Sequence, residues 1–220
     1  MAAGVMVFEV NFARRIGAMT AIVAAMMDRR HFLLLGAASA VALDPRSSGA
    51  TEAGPGAEMS PVTAYAFGFK ALDGGAIMLS YYAGHPILVV NTASLCGYTP
   101  QYAGLQALWM RYRNKGLMVL GVPSNDFGGQ EPGSARDINA TAQGEYHVTF
   151  PITEKVTVKG KAAHPFYRWA ALQRPLEAPR WNFHKYLVGR DGYLKASFTS
   201  ALEPTDTAIV VAIEKELAAT

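Results

Sequence analysis

One cysteine, Cys96, is all the sulfhydryl chemistry this 220-residue chain has. A lone cysteine excludes an internal disulfide, a C-x-x-C redox pair and a thiolate zinc site. The five histidines are scattered without ligand spacing, so no metal is expected. Charge of one sign is also scarce. The net charge is only +3, and no cluster of Lys and Arg offers a footprint for nucleic acid. The two apolar runs near the start, 16–27 and 32–43, are each shorter than the ~20 residues that span a bilayer. Stable membrane insertion is therefore not expected.

Half of the residues are hydrophobic, and 21 Gly with 12 Pro fit a globular protein rich in turns. The length suits one ordinary domain plus a tail. Residues 1–44 read as a targeting segment. Arg29 and Arg30 precede the apolar Phe32–Leu35, and small residues from Ala37 to Ala42 offer an A-x-A cleavage site. The Arg-Arg-x-Phe-Leu pattern resembles the bacterial twin-arginine export signal and implies a periplasmic or exported protein. A cytoplasmic location is the alternative if that signal does not function, and an uncleaved N-terminal anchor is another. The translation start is then expected at Met26 or Met27, with the residues before it an over-extended reading frame. Residues 45–61, rich in Gly, Ala, Ser, Pro and Glu, read as a disordered linker. The folded domain is placed at 62–220.

Within that domain, Tyr65–Phe69 and Ala76–Leu79 flank Asp73-Gly74-Gly75, a hairpin pattern. Pro86–Asn91 and Leu117–Val122 are continuous apolar runs of the kind buried on both faces. Between them, Tyr102, Leu105, Leu108, Trp109 and Tyr112 recur at helical spacing, which predicts a helix over 100–114. Strand, helix, strand in this order predicts a parallel βαβ unit. Further helices are expected over 134–144, with Ser134 as N-cap, over 164–172 and over 204–217, the last with an apolar face of Ala208, Val211, Ile213 and Leu217. Residues 148–152 and 156–158 read as short extended pieces. Phe183–Val188 and Tyr193–Phe198 flank Arg190-Asp191-Gly192, a second hairpin.

Cys96 sits where the first buried strand turns into the helix, in Asn91-Thr92-Ala93-Ser94-Leu95-Cys96-Gly97-Tyr98-Thr99. A thiol at the positive end of a helix favours its thiolate, the reactive form. The alternative is a small buried hydrophobe. The loop after the second strand, 123–133, lies at the carboxyl end of a parallel strand, where open α/β sheets place ligands. The two loops are expected to be neighbours.

Several blocks in one order then resemble the glutathione peroxidases over about residues 62–218: 91–99 (NTASLCGYT), 116–133 (GLMVLGVPSNDFGGQEPG), 148–152, 156–160, 163–165 and 181–191 (WNFHKYLVGRD). The resemblance implies a thioredoxin-like α/β fold, a central mixed β-sheet flanked by helices on both faces. It carries over four site residues: Cys96 as the peroxide-attacking residue, with Gln130, Trp181 and Asn182 around it. Amides and an indole N–H are uncharged donors, suited to holding a thiolate and peroxide oxygens. The implied activity is a thiol-dependent peroxidase that reduces hydrogen peroxide or organic hydroperoxides through a cysteine sulfenic acid.

The pattern departs from many relatives in places. Ala142 stands near the position of a resolving cysteine, so the reductant is expected to be glutathione or another external thiol, with no cofactor. Leu95 in place of a lysine, and Asp126, are both expected to make the thiol harder to ionise. The short segment before Trp181 implies a monomer. Asn182 and His184 alternate, which suggests His184 as an assistant in proton transfer, against an exposed strand residue. Arg136, Arg180 and Lys185 read as ordinary surface charge, against the alternative that they attract an anionic thiol substrate. Two other readings are a peroxide-sensing thiol relay to a partner protein and a non-catalytic thioredoxin-like module.

Overall fold

The computed structural model describes residues 62–219; the targeting segment and the linker expected at 1–44 and 45–61 lie outside them. Four strands form the central sheet in the order β4-β3-β5-β6. These are β3 (Ile87–Thr92), β4 (Met118–Pro123), β5 (Lys185–Val188) and β6 (Leu194–Phe198). β3 and β4 run parallel, with Asn91 beside Val122 and Thr92 beside Pro123. β5 is antiparallel to β3, and β6 to β5, so the sheet is mixed. The hairpin expected around Asp73-Gly74-Gly75 forms as β1 (Gly68–Lys70) and β2 (Ala76–Met78).

The apolar runs of β3 and β4 are explained by burial on both faces. Leu88, Val90, Val119 and Leu187 face one side, against α1 (Gln101–Tyr112) and α4 (Thr207–Ala218). Ile87, Val89, Leu120 and Tyr186 face the other, against α3 (Pro165–Gln173) and the hairpin. Helices therefore cover both faces, as the family resemblance implied. His164 caps α3: its Nδ1 accepts the Phe166 N–H at 3.3 Å, and its ring stacks on Phe69 at 4.1 Å.

Three local expectations change. The segment over 134–144 starts as α2 (Ala135–Asn139) behind a capping box of Ser134 and Asp137, then widens into a π-helical turn, Ala140–Glu145. The pieces at 148–152 and 156–158 are not strands; only Ile152 and Thr153 make isolated bridges, to Gly121 and Ala71. The buried stripe of α4 is Ile209, Ile213 and Glu216, while Val211 is exposed. The helix is rotated relative to its most apolar line because Ile209 and Ile213 join the cluster that contains Leu88 and Leu187.

Candidate active site

β3 delivers its carboxyl end to an irregular turn that carries Cys96 into α1. Successive i→i−3 backbone bonds bridge the gap: Thr99 N–H to Cys96 O at 2.9 Å, Gln101 N–H to Tyr98 O at 2.9 Å and Tyr102 N–H to Thr99 O at 3.0 Å. The sulfur accepts the Tyr98 N–H at 3.4 Å, so a main-chain donor points at it from the helix side. Cys96 is buried, with 7% of its surface exposed.

Thr99, the last residue of the motif around the cysteine, fastens this turn. Its buried hydroxyl accepts the Cys96 N–H at 3.0 Å and lies 2.9 Å from Ala93 O and 2.7 Å from Cys96 O. One side chain thus satisfies the backbone on both sides of the cysteine. Thr99→Val keeps the shape and removes those bonds, leaving a buried N–H unpaired, a loss of about 1–3 kcal/mol. A thermal melt is expected to show the drop, and slower thiol oxidation should accompany it.

The loop after β4 brings Gln130 alongside. Leu95 N–H donates to Gln130 O at 3.0 Å, tying the residue before the cysteine to the glutamine's main chain. Gly128 and Gly129 adopt left-handed backbone, φ +66° and +64°, which only glycine takes without strain. A Cβ on Gly128 would meet Trp181 at 3.4 Å and Gln130 at 3.5 Å, so this bare backbone is where the two side chains converge.

The segment before β5 supplies the other two. Asn91 Nδ2 donates to Trp181 O at 3.1 Å, and Phe183 N–H donates to Asn91 O at 2.6 Å. Asn182, fully buried, donates from Nδ2 to Gln130 Oε1 at 2.9 Å and to Phe127 O at 3.4 Å. With its carbonyl oxygen engaged, Gln130 keeps its amide N–H groups to offer elsewhere. The Trp181 ring lies 6.0 Å from that of Phe127 and is 40% exposed. Phe183 takes φ +62°, a rare conformation for a bulky residue. This kink sends Asn182 toward Gln130 while Phe183 packs edge-on against Tyr102 at 5.4 Å. Gln130 and Asn182 are thus in direct contact, Trp181 adjoins them at Gly128, and the Cys96 turn is stapled to the same loop.

The same kink breaks the alternation that tied His184 to Asn182. His184 turns to Ser197, with Nε2 3.0 Å from its hydroxyl, and lies edge-on to Tyr186 at 4.7 Å. Burial, with a smaller push from the Lys185 charge, lowers its pKa to about 4. It is neither an exposed strand residue nor bonded to the four site residues. Asp126 is also occupied elsewhere: its carboxylate accepts Val158 N–H at 2.6 Å and Lys159 N–H at 3.1 Å. Lys185, read as surface charge, is buried. Its ammonium donates to Gln101 Oε1 at 2.7 Å, Phe183 O at 2.8 Å and Leu202 O at 2.7 Å. Burial brings its pKa down to about 8, with Glu203 and Asp206 countering. Among the described residues no cluster of three or more His, Cys, Asp or Glu could hold a metal ion.

Comparison with known proteins points one way. A family model described as glutathione peroxidase matches residues 64–171. The chain is similar to the hydroperoxy fatty acid reductase gpx1 of Synechocystis sp., 43% identical over 164 residues, which cover 70% of this chain and 96% of that relative. It superposes on the crystal structure of Trgpx in its apo form with a TM-score of 0.58 and 33% identity, covering 71% of this chain and 97% of the other. A thioredoxin-family thiol:disulfide interchange protein from Chlorobium tepidum shares the fold alone, at 11% identity and a TM-score of 0.53 over 74% of this chain and all of that one.

Proposed function

The chain belongs to the glutathione peroxidase family, and on that footing we propose that Cys96 is the sulfur at which it reduces hydroperoxides, with Gln130, Trp181 and Asn182 holding the peroxide. The protein is a thiol-dependent peroxidase with a thioredoxin-like fold. The observation that carries the site assignment is the Asn182–Gln130 bond at 2.9 Å beside a cysteine turn tied to the Gln130 main chain.

In the proposed cycle the Cys96 thiolate attacks the terminal oxygen of ROOH. The S–O bond forms as the O–O bond breaks, and the leaving alkoxide takes a proton to become ROH. Sulfur is oxidised to sulfenic acid by the two electrons the peroxide gains. A first thiol then displaces water to give a mixed disulfide at Cys96, and a second releases the thiolate with a new disulfide. Neutral amides suit the first step, because they donate to developing negative charge without themselves titrating. Cys96 is the only cysteine in the chain, so both reducing thiols come from outside, glutathione or another small thiol. The cycle uses no cofactor and needs only one protomer. If residues 1–44 direct export, the mature protein starts downstream of Arg30, and N-terminal sequencing of the secreted form reads this directly.

The test is single-turnover oxidation by one equivalent of hydroperoxide, followed by mass spectrometry. One added oxygen at Cys96 is expected, converted by glutathione to one mixed disulfide. Oxidation at a methionine with Cys96 untouched rejects the assignment. Persistent mixed disulfides with protein partners, with slow turnover on glutathione, would favour the relay reading.

A further inference from the structure

Glu131 follows Gln130 directly and is only 1% exposed, a rare condition for a carboxylate. Its Oε2 accepts the Ser94 hydroxyl at 3.1 Å, two residues before Cys96. Its other carboxylate oxygen is buried without a protein partner, as are the Thr92 and Tyr102 hydroxyls. Those two hydroxyls face each other without a bond of normal geometry, and the Glu131 charge adds to the burial that pushes the Tyr102 phenol up. The main chain of Glu131 is pinned at both ends: its N–H donates to Asn125 Oδ1 at 2.8 Å and its carbonyl accepts Lys155 Nζ at 2.8 Å. Lys155 also reaches Gly133 O at 2.9 Å. A packed fold does not ordinarily bury an acid under a loop when an apolar side chain would fill the space at less cost. The acid here does something an apolar side chain would not: it joins the cysteine turn to the glutamine loop.

Beyond the Ser124 N–H to Thr92 O bond at their base, two cross-links join the loops: the Leu95 N–H to Gln130 O bond and the Ser94 hydroxyl to Glu131 carboxylate bond. Both lie beside the proposed reacting groups: the first joins the residue before Cys96 to Gln130 itself, and the second joins the residue two before Cys96 to the residue after Gln130. Two links fix both separation and twist between the loops; one leaves the twist free. We propose that Glu131 is a positioning residue for the peroxide-reducing step, acting through Ser94 on the Cys96 turn and through its own main chain on Gln130. It touches no substrate. The claim rests on the assignment of Cys96 and Gln130 above.

The experiment separates the two half-reactions. Oxidation of Cys96 by cumene hydroperoxide is timed in single turnover, and reduction of the oxidised form by glutathione is timed separately. Ser94→Ala and Glu131→Ala each remove the second link. Because each loses the bond that holds the two loops in register, each is expected to slow oxidation about tenfold or more. Reduction should stay within about threefold, since an attacking thiol approaches without needing Gln130 in register. Ser94→Ala with Glu131→Ala should be no slower than either alone, because both cut one connection. Glu131→Gln, which still accepts the Ser94 hydroxyl, should restore most of the rate. Should Glu131→Ala fail to fold, Ser94→Ala and Glu131→Gln decide alone, as Ser94 is only half-buried. Equal loss in both half-reactions, multiplicative losses in the double variant, or no rescue by glutamine would overturn the proposal. A wild type that shows no Cys96-dependent oxidation would instead remove the assignment beneath it.

Discussion

Cys96→Ser is expected to abolish peroxide consumption at every thiol concentration. A serine hydroxyl stays protonated near neutral pH and is a far poorer nucleophile toward an O–O bond than a thiolate. It also cannot form a sulfenic acid, so nothing remains for a reducing thiol to attack. The chain holds no second cysteine to take over. A fall of at least about a thousandfold is anticipated, of the order seen when a catalytic nucleophile is removed. Stability should change little, because serine is close in size to cysteine and the turn is held by the Thr99 hydroxyl and the Cys96 main chain rather than by the sulfur. Peroxide decay measured with glutathione as donor checks this, and a variant consuming peroxide as fast as the wild type would end the peroxidase reading of the site.

Acidification should destabilise the fold through His184. Burial holds this imidazole neutral, with its pKa lowered to about 4 against an ordinary value near 6.5. The unfolded chain takes up the proton from about pH 6.5 downward, while the folded chain refuses it until about pH 4. Stability contributed by the neutral ring is therefore fully present above pH 6.5 and falls steadily as the pH drops between those values. The difference amounts to about 3 kcal/mol by pH 4, a large share of the 5–15 kcal/mol that usually separates folded from unfolded. Denaturant melts across pH 4 to 7 should show the slope. His184→Gln keeps a group able to bond the Ser197 hydroxyl and does not titrate, so its profile should be flatter over the same range. An identical acid slope in the variant would assign the effect to other groups.

Much of the scaffold could be read before any coordinates. Continuous apolar runs at 86–91 and 117–122 with a 3.6-period stretch between them leave few options but a parallel βαβ unit. The Asp-Gly turns fixed both hairpins, since glycine alone takes the positive φ seen at Gly74, Gly75 and Gly192. A lone cysteine on the turn after a buried strand already singled out the proposed reactive group, and the family resemblance carried Gln130, Trp181 and Asn182 with it.

Side-chain direction was not legible where the backbone leaves its regular period. Phe183 takes a left-handed conformation that no sequence rule anticipates for an aromatic residue, and this kink separates Asn182 from His184. Lys185 shows the same limit. In a list of residues it is a surface charge, yet three oxygens from distant parts of the chain meet its ammonium and make burial tolerable. The roles of Thr99 and Glu131 were invisible for a related reason, because hydroxyls and carboxylates are common in loops and only their partners reveal a role. The sequence by itself determined the order of elements and the position of the one sulfhydryl, through periodicity and composition that act locally. Which polar groups are buried, and which loop each one fastens, was decided only by tertiary contacts between residues far apart in the chain, as Lys185 to Gln101 and Gln101 to Ser200 are.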